Sequence, residues 1–560
     1  MIKRLNTAKS AMQAKYGINR KLSTIPQGAP FAKCENGTFV GKTLAGVTSY
    51  KGIPYAKSPV GTLRWKRAIA PDNGTGIFEA YYYAKSPIQT EWETEVASYY
   101  PQGEDCLYLN IWVNEVDNDT KKPVMVFFHG GSYGWGGTSD PLYDGHNLIA
   151  SHSDIVLVTV GYRTGLMGFV DLSSIPGGED YKDAPNLGLL DQIESLRWIQ
   201  KNICFFGGDP ENVTIFGESA GGGSVSLLPV ISEAKGLFHR VIAESGSVAL
   251  TFSKEECADF TKRLLKESRC KTMSDLLAMD EQQLKKVNQK INYYNNFPQR
   301  DGCIIPEDPY IPYLEGMTSD IDMLMGTNQN ESNYWVREIG GIIPYALSAP
   351  IKYENDLKGL DISDSKRVSE FIKTVKPRCK QMIWCRAEYY TEMMFRLPTI
   401  KQAEGHSKNG GHTYIYYWTE PSAIKYYGAC HAVELAYVFG NTEETIYTGR
   451  PADEKLSALV QDMWVNFARS GNPSTPEISW PEYDVTSRKT MIISRKCEVG
   501  SDIHKREREL LSPLLKHWFS PSYADLDLNV PHVRKIGAVA ALVLATIAGS
   551  AIFSLSGSKK

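Results

Sequence analysis

The stretch Asn212-Val-Thr-Ile-Phe-Gly-Glu-Ser-Ala-Gly-Gly-Gly-Ser-Val-Ser226 places a serine where the sequence pattern changes abruptly. Val213–Phe216 is a run of β-branched and aromatic residues, which predicts a short buried strand. The run ends at Gly217, and small residues that can begin a helix follow Ser219. The stretch therefore predicts a strand, a sharp turn and a helix, with Ser219 at the turn.

The turn contains the pattern Gly-x-Ser-x-Gly, formed by Gly217, Ser219 and Gly221. At this position the pattern is typical of the nucleophile elbow of the α/β-hydrolase fold. Both positions favour glycine for a steric reason, because a turn this tight brings backbone segments too close for a Cβ atom. A chain of 560 residues contains about 0.2 such matches by chance. The interpretation therefore depends on the rest of the sequence.

The sequence around this turn alternates between predicted strands and helices. Fully apolar runs predict strands buried on both faces, and apolar residues at helical spacing predict helices between them. This alternation predicts an α/β fold with a large central, mostly parallel sheet flanked by helices. No strong linker interrupts residues 34–520, which we interpret as one catalytic domain. The further predicted strands are Pro123–Phe128, Ile155–Val160, Arg240–Ala243, Ile321–Met325, Thr413–Trp418 and Met491–Ser494.

Composition excludes several classes of protein. The net charge of −3 and the pI of about 6.4 give no indication of nucleic-acid binding. Ten cysteines in 560 residues are too few for a disulfide scaffold, and they have no paired Cys-x-x-Cys spacing for a metal. We predict that the protein uses no cofactor and no metal.

A serine hydroxyl needs a neighbouring base, and that base needs a third group to orient it. In this fold the order along the chain is serine, acid, histidine. Glu331 lies just past the predicted strand that ends at Met325, and His431 lies on a loop after the strand that ends at Trp418. Both follow carboxyl ends of strands, where open α/β sheets carry their sites. Ser219, Glu331 and His431 are therefore the candidate catalytic residues.

Acyl transfer also needs backbone N–H groups that stabilise an oxyanion. His129-Gly130-Gly131-Ser132 follows a buried strand and matches the His-Gly-Gly-Gly loop of this fold, with serine in place of the third glycine. The predicted donors are the N–H groups of Gly131, Ser132 and Ala220. The Ser132 N–H can still donate, but a positive φ at this position would cost free energy because serine has a Cβ.

Over nearly all of residues 34–519 the chain resembles the type-B carboxylesterase and cholinesterase family. The segments that carry this resemblance are Gly52–Ala56, Glu104–Trp112, Gly161–Arg163, Phe206–Pro210, Phe216–Gly222, Trp480–Pro481 and the segments around Glu331 and His431. The resemblance implies that Ser219 is the nucleophile, His431 the base and then the acid, and Glu331 its orienting partner. It also implies that Ser245 supplies a hydroxyl near the acid.

The chain departs from the family pattern in ways that bear on function. The family usually pairs the cysteine at position 106 with one near residues 84–90, where this chain has none, so Cys106 is expected to be a free thiol. The spacing between Trp92 and Cys106 does not match cholinesterases, and Gly221–Gly223 is more like carboxylesterases. The chain is thus expected to be carboxylesterase-like, not a true cholinesterase.

Three functions are consistent with the sequence. The first is a serine carboxylic ester hydrolase that acts on a small-molecule ester through an acyl-enzyme. The second is a transacylase that moves the acyl group to a sugar or lipid hydroxyl. The third is an inactive cholinesterase-like adhesion or scaffold protein, which the complete set Ser219, Glu331 and His431 disfavours. The oligomeric state is left open.

The two ends of the chain differ from the catalytic region. Residues 1–33 contain seven basic residues and no acidic one, which predicts a disordered basic arm, although a mitochondrial transit peptide also fits this composition. Residues 536–555 are uncharged, and 20 such positions span about 30 Å as a helix, the thickness of a bilayer core. With basic flanks, this segment predicts a transmembrane tail anchor, preceded by a linker at 521–535 and followed by a short tail at 556–560.

The anchor implies a topology. Residues 1–33 contain no apolar run of signal-peptide length, so the catalytic domain is expected to face the cytosol from the endoplasmic reticulum or the mitochondrial outer membrane. The alternative is a lumenal, secretory location in which Asn-x-Ser/Thr sequons such as those at Asn118 and Asn330 carry glycans.

Overall fold

A computed structural model describes residues 17–90, 100–114, 121–291, 297–338, 357 and 360–516. The predicted linker at 521–535, the anchor at 536–555 and the tail at 556–560 lie outside these residues, as do residues 1–16, Trp92 and Asn118. Across the ranges that are described, no helix combines the length and apolarity needed to cross a bilayer.

The strands form a small four-stranded sheet and an eleven-stranded sheet. The order is β1-β6-β3-β2 in the small sheet and β15-β14-β13-β12-β11-β10-β8-β9-β7-β5-β4 in the large one. The strands are β1 Lys21–Leu22, β2 Phe31–Cys34, β3 Gly37–Val40, β4 Lys42–Leu44, β5 Val47–Pro54, β6 Ile77–Glu79, β7 Tyr108–Asn114, β8 Lys122–Phe128, β9 Val156–Val160, β10 Gly208–Glu218, β11 Arg240–Glu244, β12 Asp322–Asn328, β13 Thr413–Trp418, β14 Lys489–Ile493 and β15 Glu498–Ser501.

Helices connect these strands and cover the large sheet. The α-helices are α1 His146–Ser151, α2 Gly165–Gly168, α3 Leu187–Asn202, α4 Ala220–Leu227, α5 Lys254–Ser268, α6 Met273–Leu277, α7 Glu281–Ile291, α8 Ile311–Leu314, α9 Asn333–Glu338, α10 Ile362–Cys379, α11 Met382–Tyr390, α12 Leu397–Lys408, α13 Leu435–Val438, α14 Glu454–Ser470 and α15 Lys505–Leu511. A π-helix, Thr391–Arg396, joins α11 to α12.

The large sheet is mixed, which refines the prediction of a mostly parallel sheet. The neighbours from β9 through β8, β10, β11, β12 and β13 to β14 are parallel. The outer pairs β4–β5, β5–β7, β7–β9 and β14–β15 are antiparallel. Antiparallel pairs need only short connections, and these peripheral strands do not carry the helical crossovers that produce the alternating pattern in the sequence.

The centre of the sheet is buried on both faces, as the apolar runs predict. Along β8, Val124, Val126 and Phe128 pack into one hydrophobic cluster, whereas Met125 and Phe127 pack into a second one on the opposite face. Successive side chains of a strand point to opposite faces, so a strand covered on both sides must be apolar at every position.

The five predicted site segments follow five adjacent strands. The loop at 129–132 follows β8, Ser219 follows β10, Ser245 follows β11, Glu331 lies three residues past β12, and His431 lies on the loop after β13. These strands are neighbours in the sheet and mutually parallel, so their carboxyl ends lie at one edge. The topology therefore brings together residues that are far apart in the chain.

The structure of residues 17–33 differs from the prediction. Residues 17–33 do not form a disordered arm: Lys21 and Leu22 pair with β6, and Phe31–Lys33 begin β2. Asn19 also donates from its side chain to the carbonyl oxygens of Lys51 and Tyr82. Basic composition does not indicate this order, because it comes from strand pairing and side-chain hydrogen bonds that composition does not report.

Candidate active site

Ser219 lies at a strained turn between β10 and α4. Its backbone has φ 58° and ψ −118°, and its N–H donates to the carbonyl oxygen of Glu244 at 2.9 Å. A Cβ at Gly217 would lie 2.6 Å from the carbonyl oxygen of Phe128, and one at Gly221 would overlap that same oxygen. The two glycines are thus required by the close packing of the turn against β8.

Glu331 and His431 are in direct contact. The Nδ1 atom of His431 lies 2.6 Å from Oε2 of Glu331. The other carboxylate oxygen, Oε1, accepts hydrogen bonds from the Ser245 hydroxyl at 2.6 Å and from the Asn328 N–H at 2.7 Å. Glu331 and Ser245 are fully buried. The geometry fixes the carboxylate and makes it the acceptor for an Nδ1–H of the imidazole, which leaves Nε2 as the basic atom.

The other ring nitrogen of His431 faces the elbow. Nε2 lies 3.1 Å from Oε1 of Glu218, the residue before Ser219. Between the described residues Ser219 and His431 themselves, the structure contains no direct hydrogen bond. Catalytic hydrogen bonds in ligand-free structures are often long and tighten when substrate binds. Glu218 is a neighbour of the imidazole that the sequence did not indicate, although it lies within the elbow pattern.

Two aromatic rings flank the imidazole. The ring centroid of His431 lies 4.8 Å from that of Trp335 and 5.0 Å from that of Phe395, and these two rings stack on each other. Phe395 belongs to the π-helix, whose wider turn has no signature in hydrophobic periodicity. Sequence analysis missed both residues, because nothing in a local pattern relates position 395 to position 431.

Further carboxyl groups are buried behind Glu331. Glu434 accepts from the Asn328 side chain at 2.5 Å, and Glu244 accepts from the indole of Trp464 at 2.7 Å. Burial and the charge of Glu331 raise the pKa of Glu434 to about 8. Burial, together with Glu434, raises the pKa of Glu244 well above its usual range. Both groups are therefore neutral at mildly acidic pH, which limits the negative charge around Glu331.

The raised pKa of Glu434 predicts a pH-dependent stability. An unfolded glutamate titrates at about 4.3, so between that pH and about 8 the folded protein holds a proton that the unfolded chain has lost. The stability contributed by neutral Glu434 is present at low pH and is lost as pH rises through this window. As the pH rises from about 5 to 8, we expect the unfolding free energy of wild type to fall relative to that of Glu434→Gln, by at most about 1.4 kcal/mol per pH unit. Urea unfolding at several pH values measures this difference. The same dependence of unfolding free energy on pH in both proteins would contradict the prediction.

The predicted oxyanion loop follows β8 and packs against the elbow. A Cβ at Gly130 would lie 3.1 Å from the Cβ of Ser219. Within the described chain, the N–H groups of Gly131 and Ser132 take no part in the loop's internal hydrogen bonds. Ala220 is the first residue of α4, and the first N–H groups of a helix have no partner within that helix. The three predicted donors therefore have N–H groups that a ligand can use.

Ser132 has the positive φ that the sequence analysis identified as unfavourable. Its φ is 50°, in the left-handed region where a Cβ costs roughly 1–2 kcal/mol. We expect Ser132→Gly to raise the unfolding free energy by about 0.5–1 kcal/mol, because relief of this strain exceeds the added chain entropy of glycine. Ser58→Gly is the control, since Ser58 lies in a loop without a positive φ. It should be destabilising in the same denaturation assay, and similar effects of both changes would contradict the prediction.

Comparison with known proteins agrees with the fold and the site geometry described above. Residues 28–510 match the Carboxylesterase family. The para-nitrobenzyl esterase of Bacillus subtilis (strain 168) is 34% identical over 500 residues, which are 85% of this chain and 97% of that protein. The bile salt-activated lipase of Bos taurus is 30% identical over 517 residues, covering 82% of each chain.

Solved structures agree with these sequence relationships. A carboxylesterase from Geobacillus stearothermophilus superimposes with a TM-score of 0.78 at 30% identity, covering 86% of this chain and 99% of that one. The family match spans both sheets from β2 onward and every segment of the candidate site. From the fold, the site geometry and these similarities together, we conclude that the chain belongs to the carboxylesterase family of α/β-hydrolases.

Proposed function

We propose that this carboxylesterase hydrolyses small-molecule carboxylic esters through an acyl-enzyme on Ser219. The observation that carries the proposal is the 2.6 Å contact between His431 Nδ1 and Glu331, on an imidazole whose other nitrogen faces the strained elbow. A neutral imidazole oriented in this way is a general base, and a serine on such a turn is the nucleophile that it can activate.

In the first step, the Ser219 oxygen attacks the ester carbonyl carbon and His431 Nε2 takes the hydroxyl proton. Nε2 is the ring nitrogen on the side of the elbow, 3.1 Å from Oε1 of Glu218, the residue before Ser219. The negative charge on the carbonyl oxygen is stabilised by the N–H groups of Gly131, Ser132 and Ala220. Glu331 stabilises the imidazolium through Nδ1–H.

In the second step, the tetrahedral intermediate collapses and the C–O bond to the alcohol breaks. His431 returns its proton to the departing alkoxide, which leaves as the alcohol and gives the acyl-enzyme on Ser219. A water molecule then attacks the acyl carbon while His431 accepts a water proton, and a second collapse releases the acid and restores Ser219.

The preferred substrates are uncharged esters. Trp335 and Phe395 place apolar rings against the imidazole, and apolar surroundings near the reacting atoms favour an uncharged acyl group or alcohol. The para-nitrobenzyl esterase of Bacillus subtilis, 34% identical to this chain, supports the same class of substrate.

Product analysis tests the proposed function. The full chain is incubated with a para-nitrophenyl acyl ester in the presence and absence of a sugar or glycerol acceptor, and the acyl products are identified by mass spectrometry. We expect an initial burst of nitrophenol and release of the free acid in both cases. Acyl transfer to the acceptor in preference to water would favour the transacylase alternative, and no turnover of any ester would favour the adhesion or scaffold alternative.

We further propose that residues 536–555 anchor the enzyme in a bilayer, with the catalytic domain on the cytosolic side. Support comes from the uncharged length of this segment and its basic flanks. All ten cysteines are free thiols, including the buried Cys106, which fits a reducing compartment.

Extraction and glycosylation test the anchor and the topology separately. The full chain should stay with membranes in alkaline carbonate, whereas a chain truncated after Asn529 should be soluble and active, because the candidate catalytic residues precede this point. Protease added to intact organelles should degrade the catalytic domain. Glycans on Asn118 or Asn330 would instead support the lumenal location.

A further inference from the structure

Gln89 is a buried glutamine whose amide pairs with one peptide unit of the loop after β8. Its Nε2 donates to the carbonyl oxygen of Gly136 at 2.6 Å, and the Gly136 N–H donates to its Oε1 at 2.9 Å. A second hydrogen bond runs from Nε2 to the carbonyl oxygen of Pro87 at 3.2 Å. The side chain is 3% exposed. Its amide nitrogen donates twice, and its amide oxygen accepts from Gly136.

Gly136 in turn packs against the start of the oxyanion loop. Its φ is 101°, and a Cβ there would lie 2.5 Å from His129 Nδ1 and 2.6 Å from the Gly130 carbonyl oxygen. The two ends of the segment 129–136 are therefore in direct contact. Gln89 holds Gly136, and Gly136 restrains the residues that carry the predicted oxyanion donors.

Two peptide planes decide where those donors point. The Gly131 N–H belongs to the same peptide unit as the Gly130 carbonyl, which lies 2.8 Å from His129 Nδ1. The Ser132 N–H belongs to the unit of the Gly131 carbonyl, which accepts from the N–H groups of Gly134 at 2.9 Å and Trp135 at 3.0 Å. Because a trans peptide points its N–H opposite to its C=O, fixing each carbonyl fixes the adjacent donor.

His129 supports this arrangement as a neutral ring. Burial lowers its pKa to about 4, and Nδ1 must carry the proton that it donates to the Gly130 carbonyl. The Tyr162 hydroxyl donates to the His129 carbonyl oxygen at 2.6 Å, so the amino-terminal end of the loop is held independently. At the carboxyl-terminal end, Gln89 holds Gly136 by the two hydrogen bonds to its peptide groups.

We propose that Gln89 is a positioning residue of the oxyanion hole, acting through Gly136 on the orientation of the Gly131 and Ser132 N–H groups. The inference rests on the proposed function, because an oxyanion forms only if Ser219 attacks an ester. Donors to an oxyanion must be held to within a fraction of an ångström, so a loop that loses this support loses transition-state stabilisation before it loses substrate binding.

The test compares Gln89→Met with wild type, since methionine has nearly the same size and cannot pair with Gly136. We expect a 10- to 100-fold lower kcat for an uncharged ester with KM changed less than threefold. A trifluoromethyl ketone, which forms a tetrahedral adduct with the active serine, should bind 10- to 100-fold more weakly. Wild-type kcat and inhibitor affinity in a folded Gln89→Met protein would overturn the proposal.

Gln461→Met is the matched control. Gln461 is 4% exposed and donates to Ser457 and to the Tyr437 carbonyl oxygen, away from the oxyanion loop. We expect this variant to lose thermal stability while its kcat and inhibitor affinity stay within twofold of wild type. Equal losses of kcat in both variants would reduce Gln89 to a structural role and also overturn the proposal.

Gln89→Glu covers the case in which the methionine variant does not fold. A carboxylate can still accept from the Gly136 N–H but cannot donate to its carbonyl, so kcat and inhibitor affinity should both fall. Wild-type values would contradict the proposal.

Ser219→Ala, assayed in parallel, separates the proposed function from the proposed role of Gln89. An active Ser219→Ala enzyme would refute the proposed function, whereas an inactive one beside an unaffected Gln89→Met would refute only the role of Gln89.

Discussion

Replacing Ser219 with alanine is expected to lower kcat for ester hydrolysis by on the order of 10⁵-fold or more, because no acyl-enzyme can form without the hydroxyl. His431→Ala should have an effect of similar size, since the hydroxyl is a weak nucleophile without its base. The double mutant should be little worse than either single mutant, because the residues act as one unit. Steady-state kinetics with an uncharged ester measures all three.

Covalent labelling gives an independent readout of the same prediction. A fluorophosphonate should attach to the wild-type enzyme and raise the mass of the peptide that contains Ser219, and it should leave Ser219→Ala unlabelled. Ser224→Ala is the control, because Ser224 is a fully buried serine on α4, one turn beyond the elbow. It should keep the label, and equal labelling of all three proteins would show that another residue is the nucleophile.

Glu331→Gln is expected to lower kcat by about 10³- to 10⁴-fold while the protein stays folded. An amide is close to a carboxylate in size, but it carries no charge to stabilise the imidazolium, and its NH₂ group can present a donor to Nδ1 and favour the wrong tautomer. Among the described residues, Glu331 is the only carboxylate in contact with Nδ1 of His431. It is completely buried, and hydrogen bonds from Ser245 and from the Asn328 N–H hold it in place.

Ser245→Ala provides a graded comparison for Glu331. It removes one hydrogen bond from Oε1 and leaves both the Asn328 N–H and the contact with His431 in place. We therefore expect a loss of about tenfold, well below that of Glu331→Gln. Circular dichroism and thermal unfolding test whether each variant is folded. Near-wild-type turnover in Glu331→Gln would assign the orienting role to another acid, and Glu218 is the nearest alternative.

Much of the fold and of the candidate site could be predicted because the relevant signals are local. The elbow pattern of glycine on both sides of Ser219 is readable within five residues, although part of its steric reason is the close approach of β8. The central strands are apolar at every position because both faces are covered, and this leaves continuous runs in the sequence. Glu331 and His431 could be identified because parallel strands end at one edge, so a residue just past a predicted strand is a candidate for that edge.

The features that could not be predicted are those that strand pairing and loop packing decide. The basic segment at 17–33 contains β1, which pairs with β6, and the start of β2, which pairs with β3, and composition does not report strand pairing. The antiparallel outer strands could not be distinguished from the parallel centre, because side chains alternate with a period of two in either direction and β7 is nearly as buried as the central strands. The sequence indicates that a positive φ at Ser132 would cost free energy, but whether the residue adopts it depends on how its loop packs.

By itself the sequence determined the order of the strands and helices at the centre of the fold, the elbow around Ser219 and the residue types that can perform acyl transfer. Only the tertiary structure decided that Glu218 lies 3.1 Å from His431 Nε2, that Trp335 and Phe395 flank the imidazole, and that the Gln89 amide pairs with Gly136. Periodicity and sterics act between neighbours in the chain, whereas these contacts join residues that only the packing of distant elements brings within a few ångströms.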